Sequence, residues 1–519
     1  MNKPNIIFFL TDDQTYWSIK SMGREEVETP NLDRLAEKGV IFDRYYNTSA
    51  ICMASRGNIL TGKYEYRIGC NFEHGCMRKD DFVESYPVKL REAGYFTGFA
   101  GKVGFNVSES GEEEEKHVDL KEYFDIFGGL KGGQGFYKTA SNPNIEKYAH
   151  EFPHSTRALG KFGTDFIKKA NNNKPFCLSI SFKAPHNPMT PDPYFDSVYK
   201  DTVWKKPENY GIEGAKHLSK HIRSGRQWEF FDHWKGDEVF QERSRKYHQL
   251  IHGVDYAVGM IMDELKSQGM EENTVIIFTS DNGFSHGSHH LGGKVLSYEE
   301  STRVPLIIYD PRVKNKGRSE RCREITANID IAPTILDLAG VKDEEERDGK
   351  SIVPLLYNEN KKHRDYIALY NFWNAPPTQL QSIVWGRYKY IFYWYEGEGM
   401  KVTEELFDLA VDPLEMKNII DAPEVKEVLE KVRKIYDDQL ELMELEGIKD
   451  KNYGLYPAIF SRKVDFVNKE KIFLNYMDSW LERCNYGGGE WLEDVKRNPE
   501  WQDRVNVIRE KYKLKERKF

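Results

Sequence analysis

Residues Asn5–Gln14 read NIIFFLTDDQ: an unbroken apolar run, Ile6–Leu10, stopped at once by Thr11, Asp12 and Asp13. An apolar run that short, with no polar residue alternating, is the pattern of a strand covered on both faces, as in a parallel sheet. Tyr95–Ala100, Phe176–Phe182, Val275–Thr279 and Val304–Tyr309 repeat it. Between them, Asn31–Lys38, opened by Pro30, and Tyr247–Lys266 carry apolar residues at helical spacing. The alternation predicts an α/β fold over residues 1–370, with a large mixed, mostly parallel sheet flanked by helices. Past residue 370 the texture changes. Ser382–Tyr395 reads as an aromatic hairpin, Glu404–Leu409 as a strand, and Pro423–Leu445 as helix. Residues 371–446 are therefore expected to form a smaller antiparallel sheet-plus-helix subdomain. Residues 447–519 are set apart as an extension without an assigned role, and Glu112–Glu115 and Gly128–Gly135 as surface loops.

Composition narrows the classes of function. The 519 residues carry 75 basic and 83 acidic side chains, a formal charge of −8, with no long basic block. That argues against a general nucleic-acid binder, and 39% hydrophobic residues argue against wholesale disorder. No apolar run approaches the roughly 20 residues of a membrane span. The expected location is cytoplasmic, or periplasmic or secreted if a signal has been removed. Cysteines 52, 70, 76, 177, 322 and 484 form no CxxC pair, and reduced thiols are expected. The sequons at Asn47 and Asn106 are taken as chance.

The residues after the strands carry the functional signal. Ile6–Leu10 ends in Thr11-Asp12-Asp13, Tyr95–Ala100 in Gly101-Lys102, Phe176–Phe182 in Lys183-Ala184-Pro185-His186, and Val275–Thr279 in Ser280-Asp281-Asn282-Gly283. Open α/β sheets bind ligands at the carboxyl ends of their strands. Each ending alone reads as well as a turn or a helix cap; four together predict a site. Asp12, Asp13, Asp281 and Asn282 offer only oxygen donors, which suit Ca²⁺ or Mg²⁺ better than zinc. Cys52-Met53-Ala54-Ser55-Arg56 adds a cysteine beside an arginine at an expected helix start. Taken alone, Cys52 reads equally as a small buried apolar residue. Gly57–Lys63 fits GxxxxGK, but Tyr64 replaces the magnesium-binding hydroxyl and no convincing strand precedes it, so a nucleotide loop is rejected.

With these segments in view, the chain resembles the type I, formylglycine-dependent sulfatases of the alkaline-phosphatase superfamily. The resemblance is carried by NIIFFLTDDQ, TPNLDRLAEKGVIFDRYY, CMASRGNILTGKY, APHNP, SDNGFSHGSHHLGGKVLSYEESTRVPLIIYD and GRYKYIFYWY…EELFDLAVDPLEMKN, spread over residues 4–420. It implies that a maturase converts Cys52 to formylglycine, hydrated to a geminal diol. Asp12, Asp13, Asp281 and Asn282 would then hold the cation together with the modified residue 52. One diol hydroxyl would attack sulfur, with Asp281 as its base, and the second would expel sulfate. Lys294 and His186 would bind sulfate and protonate the leaving oxygen, while Arg56 and Lys102 stabilise the diol and the anion. His289, and at one remove His74, are the expected substrate-side contacts.

Two positions depart from the family pattern. Ala54 stands where proline is usual, and Gly104 where a histidine two residues after the lysine helps the sulfated intermediate collapse. The second leaves that base unassigned among His74, His289 and solvent. The resemblance implies hydrolysis of a sulfate ester or sulfamate, with a carbohydrate as the expected substrate. A phosphonate monoester or phosphodiester hydrolase is the alternative on the same scaffold, and a silent, sulfatase-like binding protein a third reading.

Overall fold

The computed structural model describes residues 3–472 apart from 131–135, 171–173, 314–319, 359, 374–375, 398 and 450. Cys484, Gly487–Gly489 and the end of the extension lie outside the described residues.

The elements that build the site are, in chain order, β1 (Asn5–Asp12), α1 (Pro30–Lys38), β2 (Val40–Phe42), α2 (Cys52–Thr61), β3 (Phe96–Lys102), β4 (Ile126–Leu130), α3 (Ser155–Lys169), β5 (Phe176–Pro185), α4 (Asp237–Ser267), β6 (Thr274–Ser280), β7 (Leu306–Tyr309) and β8 (Glu320–Cys322). Among the described residues these strands form one eight-stranded sheet, ordered β8-β2-β7-β6-β1-β5-β3-β4. β1 lies at its centre, parallel to both β5 and β6. Every residue of β1 is buried. Its alternate side chains enter different cores: Ile6, Phe8 and Leu10 on one face, Ile7 and Phe9 on the other. This two-sided burial is what the unbroken apolar run encodes.

Two details differ from the sequence-based reading. Gly128–Leu130 is not a loop but the end of β4, paired in parallel with β3 at the sheet edge. Glycine is accepted there because the neighbouring ring takes the space: a Cβ on Gly128 would meet Phe162 at 2.6 Å. β7 is antiparallel to both β6 and β2, so one side of the sheet is mixed.

The C-terminal subdomain is a four-stranded antiparallel sheet of β9 (Tyr366–Asn371), β10 (Leu380–Trp385), β11 (Tyr388–Tyr393) and β12 (Thr403–Asp408), with α5 (Lys426–Glu446) against it. Its first strand begins at Tyr366, a few residues before the expected boundary. It is joined to the larger unit by charge as well as by packing. Lys389 of β11, wholly buried, sits 2.8 Å from both Glu299 and Glu415. Burial opposes ionisation of both acids, yet Lys389 and Arg303 hold Glu299 below its usual pKa. Glu415 is pushed up to about 8 by burial, against the pull of Lys389, with Glu299 and Glu300 adding to the rise. Lys389→Met would remove the one ammonium between two buried carboxyls, which typically costs about 3–5 kcal/mol. The urea midpoint should fall accordingly; a midpoint within error of wild type would refute this role.

The described part of the extension folds back rather than trailing away. Tyr453, Tyr456, Ile459 and Phe460 join the subdomain core. Lys451 donates to the carbonyls of Gly69, Cys76 and Gly111 at 3.3, 3.0 and 2.8 Å, fastening the segment that follows α2. Among the described residues, no helix is long and apolar enough to cross a membrane.

Candidate active site

The carboxyl ends of β1, β3, β5 and β6 converge with the N-terminus of α2. β1 delivers Asp12, and Asp13 follows in a left-handed conformation at φ 68°, which turns the chain out of the strand. Asp13 is held from two sides: its N–H meets Asp281 Oδ1 at 3.3 Å, and its carbonyl accepts from the Tyr247 hydroxyl at 2.9 Å. Asn282 Nδ2 donates to Asp13 Oδ1 at 2.6 Å, whereas buried Asn282 Oδ1 has no partner. Cys52 opens α2, with Sγ 3.2 Å from Asp12 Oδ1 and 2.7 Å from Lys294 Nζ.

Three cations face three carboxylates. Lys102 Nζ lies 2.5 Å from Asp12, Lys294 Nζ 2.5 Å from Asp13, and Arg56 Nε 2.7 Å from Asp281. Arg56 also donates to the Lys102 carbonyl at 2.9 Å and to Ser181 Oγ at 2.6 Å, which fixes its fork. Burial opposes ionisation of Asp12, but Lys102, His186, Arg56 and Lys294 together hold it well below the usual carboxylate range. Asp281 is pushed up to about 6 by burial and by Asp12, against the pull of Arg56. Burial and the Asp12 charge push the Cys52 thiol up to about 12, so the unmodified side chain is a neutral thiol at pH 7. A neutral thiol is a poor nucleophile.

His186 lies beside this cluster, with Nε2 3.7 Å from Asp13 Oδ2. Its Nδ1 donates to the Asn187 carbonyl at 2.6 Å, which leaves Nε2 as the bare nitrogen facing Asp13. Burial lowers its pKa to about 4, so the ring is neutral near pH 7. The Tyr137 hydroxyl donates to the His186 carbonyl at 2.6 Å and holds that loop in place.

The carboxylate oxygens of the set suit a hard cation, and Cys52 and His186 stand beside them. The ligand atoms of Asp12, Asp13, Cys52 and His186 lie within 4.8 Å of one another. The orphaned Asn282 oxygen is a further oxygen donor beside them. In this arrangement lysine ammonium groups close on Asp12 and Asp13, the carboxylates a cation would engage.

The structure thus brings Asp12, Asp13, Cys52, Arg56, Lys102, His186, Asp281, Asn282 and Lys294 into one cluster. His289 and His74 lie in other buried settings. His289 donates from Nδ1 to Gly214 O at 3.0 Å, and its Nε2 is 3.0 Å from Asn209 Nδ2 and 3.7 Å from Glu300. His74 packs among Tyr453 and Tyr456, with Nδ1 2.9 Å from the Lys451 carbonyl. Gly104, at φ +93°, packs on the Arg56 stem, and a Cβ there would come 2.3 Å from Arg56 Cδ. With Arg56 placed as it is, position 104 has no room for a side chain. Tyr137, Ser181 and Tyr247 support the site, but nothing in the sequence separates them from other buried polar residues.

These strand ends, and the cysteine among them, define a class. A family model described as Sulfatase matches residues 4–341, and one described as N-sulphoglucosamine sulphohydrolase, C-terminal, matches residues 287–441. The chain belongs to the sulfatase family and is a sulfuric ester hydrolase. It is 28% identical to an N-acetylglucosamine-6-O-sulfatase of Bacteroides thetaiotaomicron over 84% of this chain and 87% of that protein. It is 29% identical to an arylsulfatase of Clostridium perfringens, over 88% and 98%. A solved structure in complex with its substrate D-glucosamine-2-N,6-O-disulfate superposes with a TM-score of 0.70 at 25% identity, covering 85% of this chain and 98% of the other. The phosphonate monoester hydrolase of Agrobacterium radiobacter shares the fold, with a TM-score of 0.67 at 20% identity over 85% and 96%.

Proposed function

We propose that this enzyme hydrolyses a sulfate ester on a carbohydrate, with formylglycine derived from Cys52 as nucleophile and a bound divalent cation, Ca²⁺ or Mg²⁺. The observation that carries the reading is the opposition of Asp12, Asp13 and Asp281 to Lys102, Lys294 and Arg56 around Cys52 Sγ. Those acids are balanced before any ligand arrives, so an added cation leaves a positive site for an anion. The sugar is supported by the relatives named for N-acetylglucosamine sulfate and by the glucosamine disulfate complex.

The carboxylates with Asn282 would hold the cation, which would polarise a sulfate oxygen while the hydrated aldehyde at position 52 supplied the attacking oxygen. Asp281, whose pKa burial raises, would take the proton from the attacking hydroxyl. Lys294, 2.7 Å from Sγ, and Lys102 neutralise the charge that accumulates as the ester bond breaks. Arg56 positions Asp281 and closes the floor of the site. His186, neutral and bare at Nε2, binds at the mouth and would pass on a proton only after taking one up there. The collapse step, for which position 104 offers no imidazole, would fall to solvent, or to Asp281 after it has passed its first proton to solvent.

A substrate panel with protein made alongside a formylglycine-generating enzyme tests the reading. The expected order is 6-sulfated N-acetylglucosamine over aryl sulfates, with phosphonate monoesters slowest. Faster turnover of a phosphonate monoester than of any sulfate ester would replace the assignment by phosphonate hydrolysis.

A further inference from the structure

Arg243 lies in the early turns of α4, one turn before Tyr247, the residue that holds Asp13. Its Nη2 donates to Asn187 Oδ1 at 3.1 Å, and its guanidinium stands 4.8 Å from the centre of the Trp234 ring. Asn187 is the residue whose carbonyl accepts from His186 Nδ1 at 2.6 Å and from Lys183 Nζ at 2.9 Å. Arg243 therefore touches the loop that carries His186.

What sets it apart is its lack of a counter-ion. The neighbouring arginines are paired: Arg245 with Glu242 at 2.8 Å, Arg24 with Glu26 at 3.4 Å, and Arg157 with Asp192 at 2.5 Å. Among the described residues Arg243 has no carboxylate partner, its Nε is buried without an acceptor, and burial alone perturbs it. A half-buried guanidinium is costly to leave unpaired, and Trp234, itself 1% exposed, gives it a fixed platform. The charge count agrees. Asp12, Asp13 and Asp281 are matched by Arg56, Lys102 and Lys294, which leaves Lys183 and Arg243, both donors to Asn187, in excess. Arginine cannot shed its charge near neutral pH, so the excess there is permanent.

We propose that Arg243 binds a second anionic oxygen group of the substrate, a carboxylate, sulfate or sulfamate carried near the sulfate ester that is cleaved. The inference rests on the sulfated-sugar reading above and narrows it to sugars with two or more negative charges. It makes Arg243 a specificity-determining residue, apart from the groups that touch the reacting atoms.

The test compares kcat/KM for N-sulfoglucosamine 6-sulfate and for a 6-sulfated glucosamine–uronic acid disaccharide with that for N-acetylglucosamine 6-sulfate. Wild type should prefer one of the doubly charged sugars. Arg243→Gln should lower that preference at least about tenfold, equivalent to about 1.4 kcal/mol, chiefly through KM. Arg243→Lys should recover much of it, and added NaCl should erode it in wild type. An unchanged ratio in Arg243→Gln, or a wild-type preference for the singly charged sugar, would overturn the proposal. Should the glutamine variant fail to fold, the lysine variant and the salt series still decide. Calorimetric binding of the same sugars to protein with unconverted Cys52 reads the ratio without turnover. Binding that depends on Arg243 without hydrolysis of any sulfate ester by matured enzyme would sink the proposed function and leave this subsite standing.

Discussion

Cys52→Ala should remove turnover, by at least about 10⁴-fold, while leaving the fold in place. Loss of an attacking group acts on that scale. The structure says why nothing nearby would substitute. Sγ is the atom 3.2 Å from Asp12 and 2.7 Å from Lys294, so it occupies the point where acids and cations meet. The unconverted thiol, pushed up to about 12, is itself no replacement. Mass spectrometry of the peptide containing residue 52 should show the aldehyde or its hydrate in active wild-type protein. Full activity from a sample whose peptide carries only thiol would break the assignment of the nucleophile, as would an alanine variant that turns over normally.

Asp281→Ala should cost about 10³-fold in kcat and strip bound metal, because one side chain serves several ends. It accepts from the Asp13 N–H at 3.3 Å and from Arg56 Nε at 2.7 Å, and in the proposed reaction it is the base. General base catalysis alone is worth about 10²–10⁴-fold. Asp281→Asn keeps the shape and removes the charge, which separates electrostatics from collapse of the site. Both variants should show low metal content by elemental analysis. Chelation followed by Ca²⁺ should restore wild type but neither variant. Near-normal turnover in Asp281→Ala, with metal retained, would overturn the placement of the cation.

Much of this was legible in the sequence because the chemistry sits where strands stop. Ile6–Leu10 and Val275–Thr279 are apolar on both faces, so Asp12 and Asp281 stand out as abrupt ends. Strand direction was not legible: Leu306–Tyr309 is as apolar as its parallel neighbours yet runs antiparallel. The start of α4 was missed for a physical reason. Of residues 237–246 only Phe240 and Ser244 are buried, so that part of the helix carries no apolar period. Arg243 was hidden with it, since an arginine in a polar stretch looks like any solvated residue until its partners are counted. His289 carries a different lesson. The sequence reads it as a substrate-side contact, and the structure shows it fully buried in contact with Asn209 and Glu300.

Every residue of α2 is buried, from Cys52 to Thr61, and Lys451 clamps the segment behind it from the far end of the chain. If residue 52 is converted to formylglycine as proposed, that conversion is a race. A modifying enzyme would have to reach the thiol, and in the finished fold Cys52 is buried within a helix. The residues that close over Cys52, Asp281 and Lys294 among them, leave the ribosome more than two hundred positions after it. On that reading, the interval while they are still being synthesised is the time in which the nucleophile would be made. Slowing translation between those positions should raise the fraction converted, and rapid refolding of an unconverted chain should trap it as thiol.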